Sequence, residues 1–235
     1  MAKVKRTLVM GGSCLNPESP AMEKYLVSLT GKARPKVCFL PTACADADSS
    51  IIKFLTTFES IGARPSFLRL FARTVEDLRM FLLGFDLIYL GGGNTANMMA
   101  VWKAQGVDKI LFEAWERGIV IAGGSAGAIC WYESGVTDSF GKILKPLTGC
   151  YGVLAGSHCP HYHWKDRRAV YHRLLAKGAL PAGTAIDDCA AVRYDGTTLA
   201  EVVATAPNCH AFWVERKKGR VCEKRLTARR LDLKS

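Results

Sequence analysis

Five residues, Gly123-Gly124-Ser125-Ala126-Gly127, follow directly on the apolar run Gly118-Ile119-Val120-Ile121-Ala122. A short β-branched run, then Gly-x-Ser-x-Gly, then a helix-compatible stretch from Ala126 to Tyr132, has the pattern of a nucleophile elbow. There the serine sits on a sharp strand-to-helix turn with its hydroxyl exposed. The flanking glycines leave room for the close strand–helix approach that such a turn needs. A helix N-terminus beginning at Ala126 places a free N–H beside the hydroxyl, suited to an oxyanion. A glycine-rich turn that binds phosphate is the competing reading of the same five residues. A second glycine run, Gly91-Gly92-Gly93-Asn94-Thr95, follows the apolar stretch Leu87 to Leu90. It lacks G-x-G-x-x-G spacing and has no P-loop lysine, so an oxyanion donor from Gly92 or Gly93 is favoured over a nucleotide site.

A serine hydroxyl becomes a nucleophile when a hydrogen-bonded base takes its proton and a third group orients that base. The five histidines are His158, His161, His163, His172 and His210, three of them within Gly156-Ser157-His158-Cys159-Pro160-His161-Tyr162-His163. Four zinc-type ligands in six residues are too crowded for one tetrahedral ion, and no partner pair stands elsewhere, so no metal is expected. Pro160 restrains the backbone before His161, which suits a fixed base; His158 and His163 then read as polar loop residues. The segment Ala185-Ile186-Asp187-Asp188-Cys189-Ala190-Ala191-Val192 supplies two adjacent carboxylates in an otherwise apolar strand. Side chains alternate across a strand, so one of the two can face the histidine, and the residues alone leave the choice open.

These groups need a scaffold that brings distant loops together. Thr7–Met10, Lys36–Leu40, Ser66–Leu70, Leu87–Leu90 and Ile119–Ala122 read as short strands buried on both faces. Helices are expected between them: from Pro20 to Gly31, from Asp48 or Ser49 to Gly62, from a Thr74 cap to Gly84, from Asn94 or Thr95, and over Val107–Arg117. Strict alternation over the first 135 residues predicts a doubly wound, mostly parallel α/β sheet with helices on both faces. Thr184–Tyr194, Leu199–Ala204 and Phe212–Arg216 read as an antiparallel C-terminal extension, preceded by one helix over Arg167–Lys177. No linker, repeat or low-complexity stretch divides residues 1–235, so one domain is expected. In open α/β sheets ligands bind at the carboxyl ends of the strands, where both glycine loops fall.

At 235 residues and 49% hydrophobic content the chain can bury a full core. The basic start, Met1 to Arg6, is followed by too short an apolar run for a signal-peptide core, and no run reaches membrane-spanning length. Nine cysteines, odd in number and without a C-x-x-C pair, fit reduced thiols and a cytoplasmic setting. The net charge of +11 invites a nucleic-acid reading, but residues 216–235 hold nine cations against Glu223 and Asp232 and carry +7 of it. Without aromatic interleaving or a binding-module signature this reads as a solvated hairpin and tail.

Taken together and in order, the Gly91–Thr95 loop, the Gly124–Gly127 elbow, Pro160-His161-Tyr162 and the acidic pair Asp187-Asp188 resemble peptidase E. That is the aspartyl dipeptidase family of serine peptidases, related to the cyanophycinases, and the resemblance runs from about Val4 to Val214. It implies a class I glutamine amidotransferase-like fold with serine in place of the nucleophilic cysteine. It also implies a triad of Ser125, His161 and Asp188, with the oxyanion held by Gly93 and Ala126. Arg167 would read an acidic N-terminal residue, beside Gly92 and Asn94 of the glycine loop, while Arg168 is expected to be solvated. The implied activity is hydrolysis of dipeptides or short peptides by a cofactor-free enzyme, with a small peptide as partner, no nucleic acid or membrane, and a homodimer left open. The alternative is a non-catalytic protein that holds an anionic metabolite on the same scaffold.

Overall fold

The computed structural model describes residues 4–12, 15 and 17–231; of the basic tail, Asp232 and Lys234 lie outside them. The elements in chain order are β1 (Arg6–Met10), α1 (Ala21–Leu29), β2 (Lys36–Leu40), α2 (Asp48–Ser60), β3 (Arg64–Phe67), α3 (Leu78–Leu82), β4 (Leu87–Leu90), α4 (Thr95–Gln105) and α5 (Val107–Glu116). There follow β5 (Val120–Gly124), α6 (Ala126–Ile129), β6 (Tyr132–Thr137), β7 (Lys145–Thr148), β8 (Leu154–Cys159) and α7 (Lys165–Ala176). The chain ends in β9 (Gly183–Ile186), β10 (Ala190–Asp195), β11 (Thr198–Ala204), β12 (Ala211–Lys217), β13 (Arg220–Leu226) and β14 (Arg229–Arg230).

The first sheet has the order β14-β11-β10-β1-β5-β4-β2-β3, and its β1-β5-β4-β2-β3 portion is parallel. Its strands are apolar runs because both faces are covered. Leu8, Met10, Val37, Phe39, Leu87 and Tyr89 pack on one side with Met22 and Leu26 of α1 and Phe54 and Phe58 of α2. Their neighbours Val9, Cys38, Leu40, Ile88, Leu90 and Ile121 pack on the other with Met98 and Trp102 of α4 and Leu111 of α5. Period-2 alternation thus feeds two cores rather than a core and a solvent face. The fold is α/β, with helices on both sides of the sheet.

The structure also differs from the sequence reading. Six strands, β13-β12-β9-β8-β6-β7, form a second sheet, whose strands β6, β7 and β8 were not anticipated. The expected strand Thr184–Tyr194 is two strands in two sheets, and Asp187 and Asp188 lie in the turn between them. β3 ends at Phe67, not Leu70, because the Asp46 carboxylate accepts the N–H groups of Leu70 and Phe71 at 2.7 and 2.8 Å and draws the chain out of the ladder. α3 starts at Leu78, not after Thr74, because Asp77 supplies the cap by accepting from the Met80 N–H at 2.8 Å. α6 ends at Ile129, short of Tyr132, which already pairs with Leu154 in the second sheet. His158, expected in a loop, is a fully buried residue of β8 that stacks on Tyr132, with ring centroids 4.9 Å apart. Burial pushes its pKa down to about 3 and keeps it neutral. The basic hairpin β12–β13 is the edge of the second sheet and is tied to α7, where Glu223 accepts from Arg168 at 2.9 Å and pairs with His172 at 2.5 Å. Arg168 is therefore paired rather than merely solvated. No described helix is long and apolar enough to cross a membrane, and the eight described cysteines are free thiols.

Candidate active site

The two sheets converge at the carboxyl ends of their strands. β4 and β5 are neighbours with Leu90 opposite Gly123, so the Gly91–Gly93 loop and the Ser125 turn stand side by side. β8 and β9 run parallel with Cys159 opposite Ala185, which brings the loop holding His161 next to the turn holding Asp188. The end of β1 joins the two halves: Met10 accepts from the Ser125 N–H at 3.2 Å and Gly11 accepts from the His161 N–H at 3.1 Å.

Ser125 caps α6 at φ 53° and ψ −112°, a backbone conformation that non-glycine residues seldom adopt. Such strain is worth roughly 1–3 kcal/mol and persists where surrounding packing enforces it. Gly127 shows why the elbow needs glycine: a Cβ there would lie 2.3 Å from the Leu90 carbonyl oxygen. His161 is also in the left-handed region, at φ 52°. Its Nε2 lies 3.0 Å from Ser125 Oγ, and its Nδ1 lies 2.5 Å from Asp188 Oδ1. An ionised Asp188 only accepts, so Nδ1 carries the proton and Nε2 is left to accept from the serine hydroxyl. Burial by itself would raise the Asp188 pKa. The hydrogen bond and charge of His161, with the charges of His163 and Arg167, outweigh burial and hold it below the ordinary carboxylate value.

Asp187 faces away from the histidine. Its Oδ2 accepts from the His210 N–H and its own N–H donates to the His210 carbonyl, both at 2.9 Å. Burial raises its pKa, against the opposing backbone hydrogen bond from His210. The turn, not strand alternation, therefore separates the two aspartates. Gly92 and Gly93 line a cavity of about 320 Å³ together with Ser125 and His161. A Cβ on Gly92 would come within 3.4 Å of Ser125 Cβ, so the missing side chain keeps the space beside the hydroxyl open. As the first residue of α6, Ala126 has an N–H with no intrahelical acceptor.

Two expected substrate-binding residues are engaged elsewhere. Asn94 caps α4 by accepting from the Asn97 N–H at 2.9 Å, and its amide donates to the Ser139 carbonyl at 3.0 Å. Arg167 is 4% exposed, donates to Asp138 at 2.7 Å, and holds its guanidinium 5.7 Å from the Trp164 ring. Neither is among the side chains lining the cavity.

Three residues escaped the sequence reading. Trp164 stacks on His161, with centroids 4.7 Å apart and planes at 22°. His163 Nε2 is 3.6 Å from Asp188 Oδ2. Lys53 of α2 lines the cavity. The dense Tyr162-His163-Trp164-Lys165 run signalled the first two, whereas Lys53 becomes visible only once α2 is placed. No group of three His, Cys, Asp or Glu side chains among the described residues is arranged to hold a metal ion.

A serine hydroxyl, an imidazole and a carboxylate in hydrogen-bonded series beside an open cavity have the arrangement that acyl transfer through a covalent intermediate requires. Comparison with known proteins agrees with that chemistry. The chain is 40% identical over 225 residues to the uncharacterized peptidase YgaJ of Bacillus subtilis (strain 168), covering 94% of this chain and 96% of that one. Its fold matches the crystal structure of a peptidase from an acI-B1 Actinobacterium, with a TM-score of 0.75 at 20% identity over 97% of this chain and 96% of that chain. It also matches a protein provisionally named peptidase E from Listeria monocytogenes EGD-e, with a TM-score of 0.57 at 18% identity over 95% of this chain and 100% of that chain. The model of peptidase family S51 matches residues 7–202, and the chain belongs to that family of serine peptidases.

Proposed function

We propose that this peptidase hydrolyses dipeptides or short peptides with an acidic N-terminal residue, using Ser125 as nucleophile, His161 as base and Asp188 as its orienting acid. The observation that carries the reading is the unbroken series Ser125 Oγ–His161 Nε2 at 3.0 Å and His161 Nδ1–Asp188 Oδ1 at 2.5 Å. Ser125 Oγ attacks the scissile carbonyl while Nε2 takes its proton, and Asp188 stabilises the imidazolium that forms. The oxyanion is met by the N–H groups of Ala126 and Gly93. Collapse expels the amine, which receives the proton from Nε2 and leaves an acyl-serine. Water activated by the same histidine releases the acid. The chemistry needs no metal or organic cofactor, and free thiols fit a cytoplasmic enzyme.

A fluorophosphonate label tests the triad, since it bonds an activated serine. Wild-type protein is expected to take one label, and Ser125→Ala none. A scaffold that only bound an anionic metabolite would stay unlabelled. A panel of Asp-X, Glu-X, Asn-X, Ala-X and isoaspartyl dipeptides then tests the substrate class. Equal turnover of acidic and neutral N-terminal residues rejects the acidic preference while leaving the triad in place.

A further inference from the structure

The cavity beside Ser125 has an uneven charge distribution that the triad does not use. Its lining combines apolar and aromatic side chains, Leu15, Phe39 and Tyr89, with the more polar Cys44, Ser50 and Lys53. Ser50 and Lys53 are three residues apart on α2, so they share one edge of the helix while Ile51, Phe54 and Phe58 turn into the core. Apart from His161, Lys53 is the only basic side chain among the described residues that line the cavity. It forms no ion pair among the described residues, whereas the two arginines that follow His161 are engaged by Asp138 and Glu223. An acid that senses the Lys53 charge is Glu23, whose carboxyl group is buried. Burial pushes the Glu23 pKa up to about 8, against the opposing backbone hydrogen bond and the charge of Lys53, so burial disfavours the anion that would offset the lysine. The result is a recess lined by both Ser125 and a lysine that no described carboxylate pairs.

We propose that Lys53 is the specificity-determining residue of this site, binding the side-chain carboxylate of the residue whose carbonyl Ser125 attacks. The assignment rests on the serine-peptidase reading above and goes beyond it by naming what selects the substrate. A single ammonium on a flexible stem meets a carboxylate as a point charge, and the Ser50 hydroxyl on the same helix edge can add a second donor. An aspartyl or glutamyl side chain then fills a recess whose remaining wall is apolar. An isosteric amide loses the charge contact, and a basic side chain is repelled.

The test compares kcat/KM for Asp-Leu, Asn-Leu, Lys-Leu and Asp-leucinamide in wild type, Lys53→Met, Lys53→Arg and Lys53→Glu. Fluorophosphonate labelling of each variant reports that the fold and the triad are intact. Lys53→Met is expected to lower the Asp-Leu to Asn-Leu ratio at least tenfold. Lys53→Arg should restore most of that ratio, and Lys53→Glu should raise Lys-Leu relative to Asp-Leu. An unchanged ratio in a labelled Lys53→Met variant, with wild type still preferring Asp-Leu, overturns the role of Lys53 and leaves the proposed function standing. A loss that tracks the C-terminal carboxylate, seen as wild-type and Lys53→Met converging on Asp-leucinamide alone, also overturns the assignment. A wild type that takes the label but shows no acidic preference removes both the substrate class and the role of Lys53. A wild type that takes no label removes the triad itself.

Discussion

Trp164 lies flat on the imidazole of His161, with centroids 4.7 Å apart and planes inclined by 22°. Its own backbone N–H donates to the His161 carbonyl at 3.0 Å, so ring and backbone hold the same residue from two directions. Asp188 and Ser125 hold the ring at its two nitrogens, and the indole packed on its face limits rotation away from them. Trp164 is a positioning residue on this account. Trp164→Ala should lower kcat about tenfold on acidic and neutral dipeptides alike, with a smaller change in KM, and Trp164→Phe should recover most of the loss. Steady-state kinetics on both substrate classes check this, and a loss confined to KM would place Trp164 in the substrate site instead.

The two aspartates of the β9–β10 turn should separate cleanly. Asp188→Asn replaces a carboxylate that only accepts with an amide that can donate to His161 Nδ1 and so permits the wrong tautomer, for which a loss of roughly 10³–10⁴ in kcat is expected. Asp187→Asn leaves the triad intact and alters only the contact with the His210 N–H, at 2.9 Å. Its effect should stay within about tenfold, and should appear in stability as much as in turnover. The reverse ranking would move the acid to Asp187.

How much of this was legible in the sequence follows from which interactions are local. The elbow, the glycine loop and the N-cap at Asn94 are written in contiguous residues, because strand–turn–helix geometry restricts which residue types fit. The parallel sheet was legible too, since strands buried on both faces give unbroken apolar runs. The second sheet was not. β6 and β8 contain Gly135, Gly156 and buried polar residues such as Ser134, Ser157 and His158, which weaken any strand pattern. A strand-initiating turn at Asp187-Asp188 was one reading of that β-compatible run; in the structure it joins two strands in different sheets, held by the pairing of Asp187 with the distant His210. The same holds for Arg167. Its proximity to His161 in sequence pointed to substrate, but its partner Asp138 comes from the segment after β6, a contact that no local pattern encodes.

That pairing gives Arg167 a definite expected phenotype. Arg167→Met removes a buried guanidinium that supports Trp164 and leaves Asp138, whose side chain is 53% exposed, in water. No uncompensated buried charge remains, so the stability loss should be about 1–3 kcal/mol, from lost packing and hydrogen bonding. Activity should fall on Asp-X and neutral X-X dipeptides by the same factor. Selective loss on Asp-X would return Arg167 to the role of charge reader and weaken the case for Lys53.

The last expectation concerns Glu23, whose carboxyl group is buried. Burial raises its folded-state pKa from 4.5 to about 8. Between those values the native state binds a proton that the unfolded chain has released, so the stability linked to this group is fully present below about pH 4.5 and is lost as pH rises through about 8. At 1.36 kcal/mol per pKa unit the effect is on the order of a few kcal/mol. Glu23→Gln keeps the shape without the titration, so its urea-unfolding free energy should lack this pH-dependent loss. The gap between the variant and wild type should therefore widen in favour of the variant from pH 5 towards pH 9, the window set by that shift. Parallel curves for the two proteins across that range would show that Glu23 titrates alike in the folded and unfolded chains. They would also restore an ionised acid near Lys53 at neutral pH, which is the condition under which the cavity would lose its net positive charge.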